Sequence, residues 1–84
     1  MTAEERLIEN GYDGTVILKD YSYDDALIGV SDDGRAIYDY DLMVEWLVKT
    51  EQMSEEEAME WVDYNTLRAL PYFPEGPIIM HRLI

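Results

Sequence analysis

The order of apolar and polar residues changes rhythm along this chain, and each rhythm predicts a different element. Residues 2–9 predict a short helix: Thr2 and Glu5 have the T-x-x-E spacing of a capping box, and Asn10-Gly11 supplies a left-handed stop. After Gly14, residues 15–19 (Thr-Val-Ile-Leu-Lys) are β-branched and too few for a helix, which predicts a strand. A polar, tyrosine-bearing connection occupies residues 20–25. Residues 26–30 are apolar, Ser31-Asp32-Asp33-Gly34 is a turn, and residues 35–38 are extended again. Asp-Gly between two such runs predicts a β-hairpin, with Gly34 taking the positive φ that a bulged turn needs.

From Asp41 the period becomes helical. Asp41 is the predicted N-cap, and Leu42, Met43, Trp46 and Leu47 form an apolar stripe. Residues 50–53 interrupt it. Ser54 and Glu57 then make a second capping box, with Ala58, Trp61, Val62 and Leu67 expected to face inward and Pro71 to end the helix. Glu55, Glu56 and Glu57 suit its first turn, where the helix dipole favours negative charge. Pro74-Glu75-Gly76-Pro77 reads as a rigid linker. Residues 78–84 close the chain as a strand apolar on both faces, either buried inside the sheet or a self-association edge. The predicted order is αβββααβ in a single domain spanning residues 1–84. Its fold class is α+β, a mostly antiparallel sheet with helices on one face.

Composition sharpens this picture. At 84 residues and 48% hydrophobic content the chain has the apolar material of a folded domain, which excludes a disordered acidic tail. Its net charge is -13, from 19 Asp and Glu against 6 Lys and Arg. Small domains usually carry a net charge of magnitude roughly 2–8, so the excess asks for a reason, since self-repulsion opposes compaction. Cysteine is absent, which removes disulfides, thiol chemistry and Cys-based zinc sites and fits a reducing cytoplasm. Residues 1–9 are charged and lack the apolar core of a signal peptide. No apolar run approaches the ~20 residues that span a bilayer. A negative surface is also repelled by anionic lipid and by nucleic-acid backbone. The expectation is a cytoplasmic protein that binds neither membrane nor nucleic acid directly.

Catalytic chemistry finds little footing. His81 is the only histidine, without a second ligand or an activated serine among Ser22, Ser31 and Ser54. Asp20, Ser22, Asp24 and Asp25 suggest a calcium loop, but counting from Asp20 puts Asp25 and Ser31 where an EF-hand needs Gly and Glu. Paired carboxylates serve glycosidases, yet among so many acids close pairs arise by chance. We expect no enzyme, cofactor or dedicated metal site.

The acidic surface remains. Glu56, Glu60 and Asp63 follow i, i+4, i+7 spacing and share a helix face. Their charges stand about 5–6 Å apart along the axis, the order of the laterally displaced phosphates of one DNA strand with their ~3.4 Å rise. Asp20, Asp24, Asp25, Asp32 and Asp33 lie in the loops around the hairpin. Asp39 and Asp41 alternate with Tyr38 and Tyr40, setting flat aromatic surface beside charge. Trp46 and Trp61 fall on apolar stripes and are assigned to the core, whereas Tyr21, Tyr23, Tyr72 and Phe73 lie in connections and are candidates for exposed contact. The expected partner-binding set is Asp24, Asp25, Asp32, Asp33, Asp39, Glu56, Glu60 and Asp63, with Tyr21 and Tyr23.

Residues 25–30 (Asp-Ala-Leu-Ile-Gly-Val), 38–46 (Tyr-Asp-Tyr-Asp-Leu-Met-Val-Glu-Trp) and 55–66 (Glu-Glu-Glu-Ala-Met-Glu-Trp-Val-Asp-Tyr-Asn-Thr) resemble short acidic proteins of Gram-positive gut bacteria and their phages or mobile elements. That resemblance brings no activity or site residues with it. In charge and size the chain is also similar to phage-encoded DNA-mimic inhibitors, such as anti-CRISPR and anti-restriction proteins, which share no motif. The function expected is a non-catalytic protein-interaction module whose negative face occupies a basic, nucleic-acid-binding site on another protein. The rival classes are a small structural or homo-oligomeric protein pairing through its last strand, a carboxylate ion-binding protein, and a chain adapted to high salt.

Overall fold

The first helix, α1 (Ala3–Glu9), begins as its sequence predicts: the Thr2 hydroxyl accepts the Glu5 N–H at 3.1 Å, and the Glu5 carboxylate accepts the Thr2 N–H at 3.0 Å. The computed structural model describes residues 1–83. Gly11, at φ 85, ends α1 in a Schellman turn, with the Tyr12 N–H on the Leu7 carbonyl at 2.8 Å and the Gly11 N–H on that of Ile8 at 3.0 Å.

The strand expected at residues 15–19 does not form. The run lies extended against the core without joining a ladder, with Leu18 buried, Ile17 half-buried and Val16 42% exposed. β-branched composition reports a fit to a half-covered extended surface rather than ladder pairing. Here that surface is a wrap around the core.

The hairpin forms. Its strands, β1 (Leu27–Val30) and β2 (Ala36–Asp39), are antiparallel, with a bulge between Leu27 and Gly29. The Gly34 N–H donates to the Ser31 carbonyl at 2.9 Å and the Ser31 N–H to that of Arg35 at 2.8 Å, while Gly34 takes φ 84. This is a type I turn closed by a left-handed glycine.

β2 then runs straight into α2 (Tyr40–Thr50), so the N-cap is Asp39 rather than Asp41; its carboxylate accepts the Leu42 N–H at 3.1 Å. Asp41 sits instead in the first turn, where its charge suits the dipole. The next helix, α3 (Glu55–Trp61), opens with the predicted reciprocal box between Ser54 and Glu57. After Trp61 it widens into a π-type turn, Val62–Leu67, which keeps both Val62 and Thr66 inside. A short 3₁₀ turn, Leu70–Tyr72, leads on to β3 (Ile78–Met80).

β3 pairs parallel to β2, Ile37 opposite Ile78 and Asp39 opposite Met80. The sheet is therefore mixed and three-stranded, in the order β1-β2-β3, and not mostly antiparallel. A parallel neighbour requires a crossover, and the excursion through α2 and α3 supplies it. The last strand is an edge with half-buried side chains, shorter than the 78–84 expected, and Ile84 lies outside the described residues. The α+β class stands, with fewer strands and a different arrangement of helical segments.

The core gathers Tyr23, Tyr38, Met43, Leu47 and Val62, all fully buried, over Ala26, Ala36 and Ala58. Trp46 and Trp61 are half-buried against it, and the Tyr21 ring packs 5.9 Å from Trp46 and 5.3 Å from Trp61, centroid to centroid. Among the described residues no helix is long and apolar enough to cross a membrane.

Candidate interaction surface

Several acids that the sequence offered as surface charge are internal fastenings. Asp20 uses a single carboxylate oxygen to accept from the Thr66 hydroxyl at 2.6 Å, the Trp61 indole N–H at 3.2 Å and the Tyr23 hydroxyl at 3.5 Å. Asp24 accepts the Ala3 N–H at 2.8 Å, so it satisfies a free donor at the start of α1. The Arg6 guanidinium strengthens the same junction by donating to the carbonyls of Asp24 and Leu27.

Asp39 is buried and cannot be a contact residue. Besides capping α2 it accepts Arg82 Nε at 2.6 Å. Burial pushes its pKa up, but the Arg82 guanidinium and the Leu42 N–H outweigh that and hold the carboxyl below its ordinary value.

The tyrosines are likewise corrected. Tyr23 is fully buried and adopts φ 46, a left-handed conformation that bulky side chains resist. Burial raises the pKa of its hydroxyl, with the neighbouring Asp20 charge adding to the effect. Tyr21 is half-buried among aromatic rings. In both positions aromatic–aromatic packing wins over exposure, because the connection folds back over α2 and α3 instead of looping into solvent. Tyr72 and Phe73 are the exposed pair, at 82% and 58%.

What remains on the outside is Asp25, Asp32, Asp33, Glu56, Glu60 and Asp63. Asp33 accepts the Ser31 hydroxyl and so serves the hairpin turn. Asp63 accepts the Tyr40 hydroxyl at 3.0 Å; burial and then this carboxylate push that phenol up to about 12. The Tyr40 ring stacks on the exposed His81, with centroids 4.7 Å apart. The acids therefore divide between the hairpin turn (Asp32, Asp33), the 3₁₀ turn ahead of β1 that packs on α2 (Asp25) and the α2–α3 side (Glu56, Glu60, Asp63). Among the described residues no group of three or more His, Asp or Glu is arranged to hold a metal ion.

The α2–α3 side carries more than the expected residues. A groove of 400 Å³ runs between the two helices. Its floor is Val44, Val48 and Met59, and its rim carries Asp41, Glu45 and Glu55. Lys49 pairs with Glu45 at 2.9 Å across one helical turn, with both side chains largely exposed. The spacing that betrays the groove is present in the sequence: Asp41 and Glu45 recur at i, i+4 on one flank of Val44 and Val48, themselves i, i+4. That signal is masked because the same stretch also reads as an ordinary core stripe.

No protein-family model matches this chain, and no curated protein or solved structure is significantly similar to it.

Proposed function

We propose that this protein is a non-catalytic interaction module that presents a negative surface to a basic site on a nucleic-acid-binding protein. The observation that supports this reading is the lack of internal neutralisation. Against 19 acids, the described residues contain two ion pairs, Lys49–Glu45 and Arg82–Asp39. Other cations are occupied elsewhere: Arg6 and Arg35 donate to backbone carbonyls, and Arg68 lies over the Tyr64 ring. The uncompensated charge concentrates on α2, α3 and the segments joined to them. Asp41, Glu51, Glu55, Glu56, Glu57, Glu60 and Asp63 are all exposed, and Lys49, the single cation in that stretch, is taken by Glu45. Such a field raises the local concentration of a basic partner and accelerates its docking in a salt-dependent way.

The test is competition. Heparin-retained proteins from a bacterial lysate are passed over the immobilised chain at low and high salt, and the retained fraction is assayed for duplex-DNA binding with and without the free chain. DNA-binding proteins held only at low salt, and blocked from DNA by the chain, support the reading. The same proteins held at both salts, or apolar partners alone, remove it.

A second reading rests on β3, an edge strand whose outer side has no partner among the described residues. Self-pairing there makes a homo-oligomer in which charge serves solubility. Light scattering across concentrations separates the two, because a monomer throughout excludes self-pairing.

A further inference from the structure

We propose that the α2–α3 groove is a docking site for a basic amphipathic helix, a partner segment with an apolar stripe flanked by Lys or Arg. The proposal rests on the reading of the acidic surface given above and narrows it to one place and one shape of partner. Its basis is complementarity of both charge and pattern. Half-buried Val48 and Met59, 41% exposed, face the groove from α2 and α3, and Val44, one helical turn before Val48, closes its floor as a buried core residue. These groups call for apolar side chains repeated at one-turn spacing. The carboxylates stand on both walls, Asp41 and Glu45 on α2 and Glu55 on α3.

A helix with a narrow apolar stripe places cations on both flanks of that stripe, within reach of both walls. An extended strand turns its polar side chains to the opposite face, away from either rim. Lys49 holds Glu45 through an exposed pair of the kind worth little in water, so an incoming Arg or Lys displaces it readily, and Arg82, the other cation close to Asp41 and Glu45, is held by Asp39. Anionic lipid is disfavoured by the same rim that attracts the helix.

The experiment uses two synthetic peptides of identical Leu/Lys composition, one with the residues in helical period and one scrambled, titrated into the isotopically labelled chain at low salt. Expected are tighter binding of the patterned peptide and amide shifts concentrated at Val44, Val48 and Met59. Met59→Gln weakens the patterned peptide about fivefold, the scale of burying roughly half a methionine side chain, and leaves the scrambled one unchanged. The double variant Glu45→Gln/Glu55→Gln, which alters no buried group, weakens the patterned peptide and flattens its salt dependence. Equal binding of both peptides with scattered shifts overturns the groove while the acidic-surface reading stands. Binding of neither peptide overturns both. Groove shifts that follow the chain's own concentration without peptide assign the site to a second copy and overturn the proposal.

Discussion

Arg82 Nε donates to Asp39 Oδ2 at 2.6 Å, and so ties the chain beyond β3 to the carboxylate that starts α2. Asp39 is covered by its neighbours, yet Arg82 is half exposed, so solvent weakens the attraction between them. Two substitutions separate the roles. Asp39→Asn keeps a capping oxygen and loses the charge, whereas Asp39→Ala loses both and is expected to be less stable than Asp39→Asn by about 1 kcal/mol. A carboxyl with a lowered folded pKa stabilises above its unfolded value and loses that contribution as pH falls through the folded one. The advantage of wild type over Asp39→Asn is therefore flat from neutrality to about pH 5 and shrinks below about pH 4. Urea midpoints across that range check it; a difference that persists unchanged in acid contradicts the assignment.

The Asp20 carboxylate is the fastening point between the tyrosine-bearing connection and the widened turn after α3. Thr66→Val keeps the buried shape and deletes the hydroxyl that stands 2.6 Å from Asp20 and 3.2 Å from Tyr23. The buried Tyr23 hydroxyl loses a partner while the exposed Asp20 carboxylate regains water, so the expected loss is about 1 kcal/mol. Trp61 donates to the same carboxylate oxygen, which makes its fluorescence the natural probe of the transition. A Thr66→Val protein as stable as wild type would show that the network is decorative.

Alkaline pH attacks a different set of groups. Burial raises Tyr23 and Tyr38 above the ordinary tyrosine value, and Tyr40 to about 12. A raised folded pKa means that the neutral form is favoured by folding, so stability is intact below about pH 10 and declines as pH rises past it. Ultraviolet titration of tyrosinate is expected to show a late fraction that ionises together with loss of structure. A single smooth titration with the fold intact would be inconsistent with these three environments.

Tyr38 offers the opposite kind of test. Its hydroxyl is buried beside the Leu18 backbone without a hydrogen bond of sound geometry. An unsatisfied buried hydroxyl is a cost that Tyr38→Phe removes at almost no change in shape. The variant is expected to match wild type or exceed it by up to about 1 kcal/mol. A loss of more than that, measured by chemical denaturation, would reveal a partner for the hydroxyl in solution.

Local chemistry was legible where it closes within a few residues. Both capping boxes, the Gly11 stop and the Gly34 turn depend on neighbours no more than five positions away, and all four are found. What failed depends on distant partners. Residues 15–19 have the composition of a strand, but whether they pair is decided by which strands flank β2. The N-cap moved from Asp41 to Asp39 because β2 meets α2 without a loop, a junction set by the sheet. Asp24 and Asp39 read as surface charge because nothing in the sequence reveals that α1 and Arg82 come to rest on them. Tyr23 reads as exposed for the same reason: Thr66, its hydroxyl partner, is 43 positions away.

The charge that is left after these internal roles permits a decisive comparison. Glu60→Gln/Asp63→Asn and Asp32→Asn/Asp33→Asn each remove two charges, the first on α3 and the turn that follows it and the second in the hairpin turn. Asn at 63 retains an oxygen for the Tyr40 hydroxyl. Both variants are expected to be at least as stable as wild type at low ionic strength and to gain less from added salt, because like charges on a compact surface repel until screened. If the α2–α3 side is the contact face, the first variant loses most of the low-salt retention of basic proteins and the second loses little. Equal losses would mean that partners respond to net charge alone, and the negative surface would then act as a field without a preferred face.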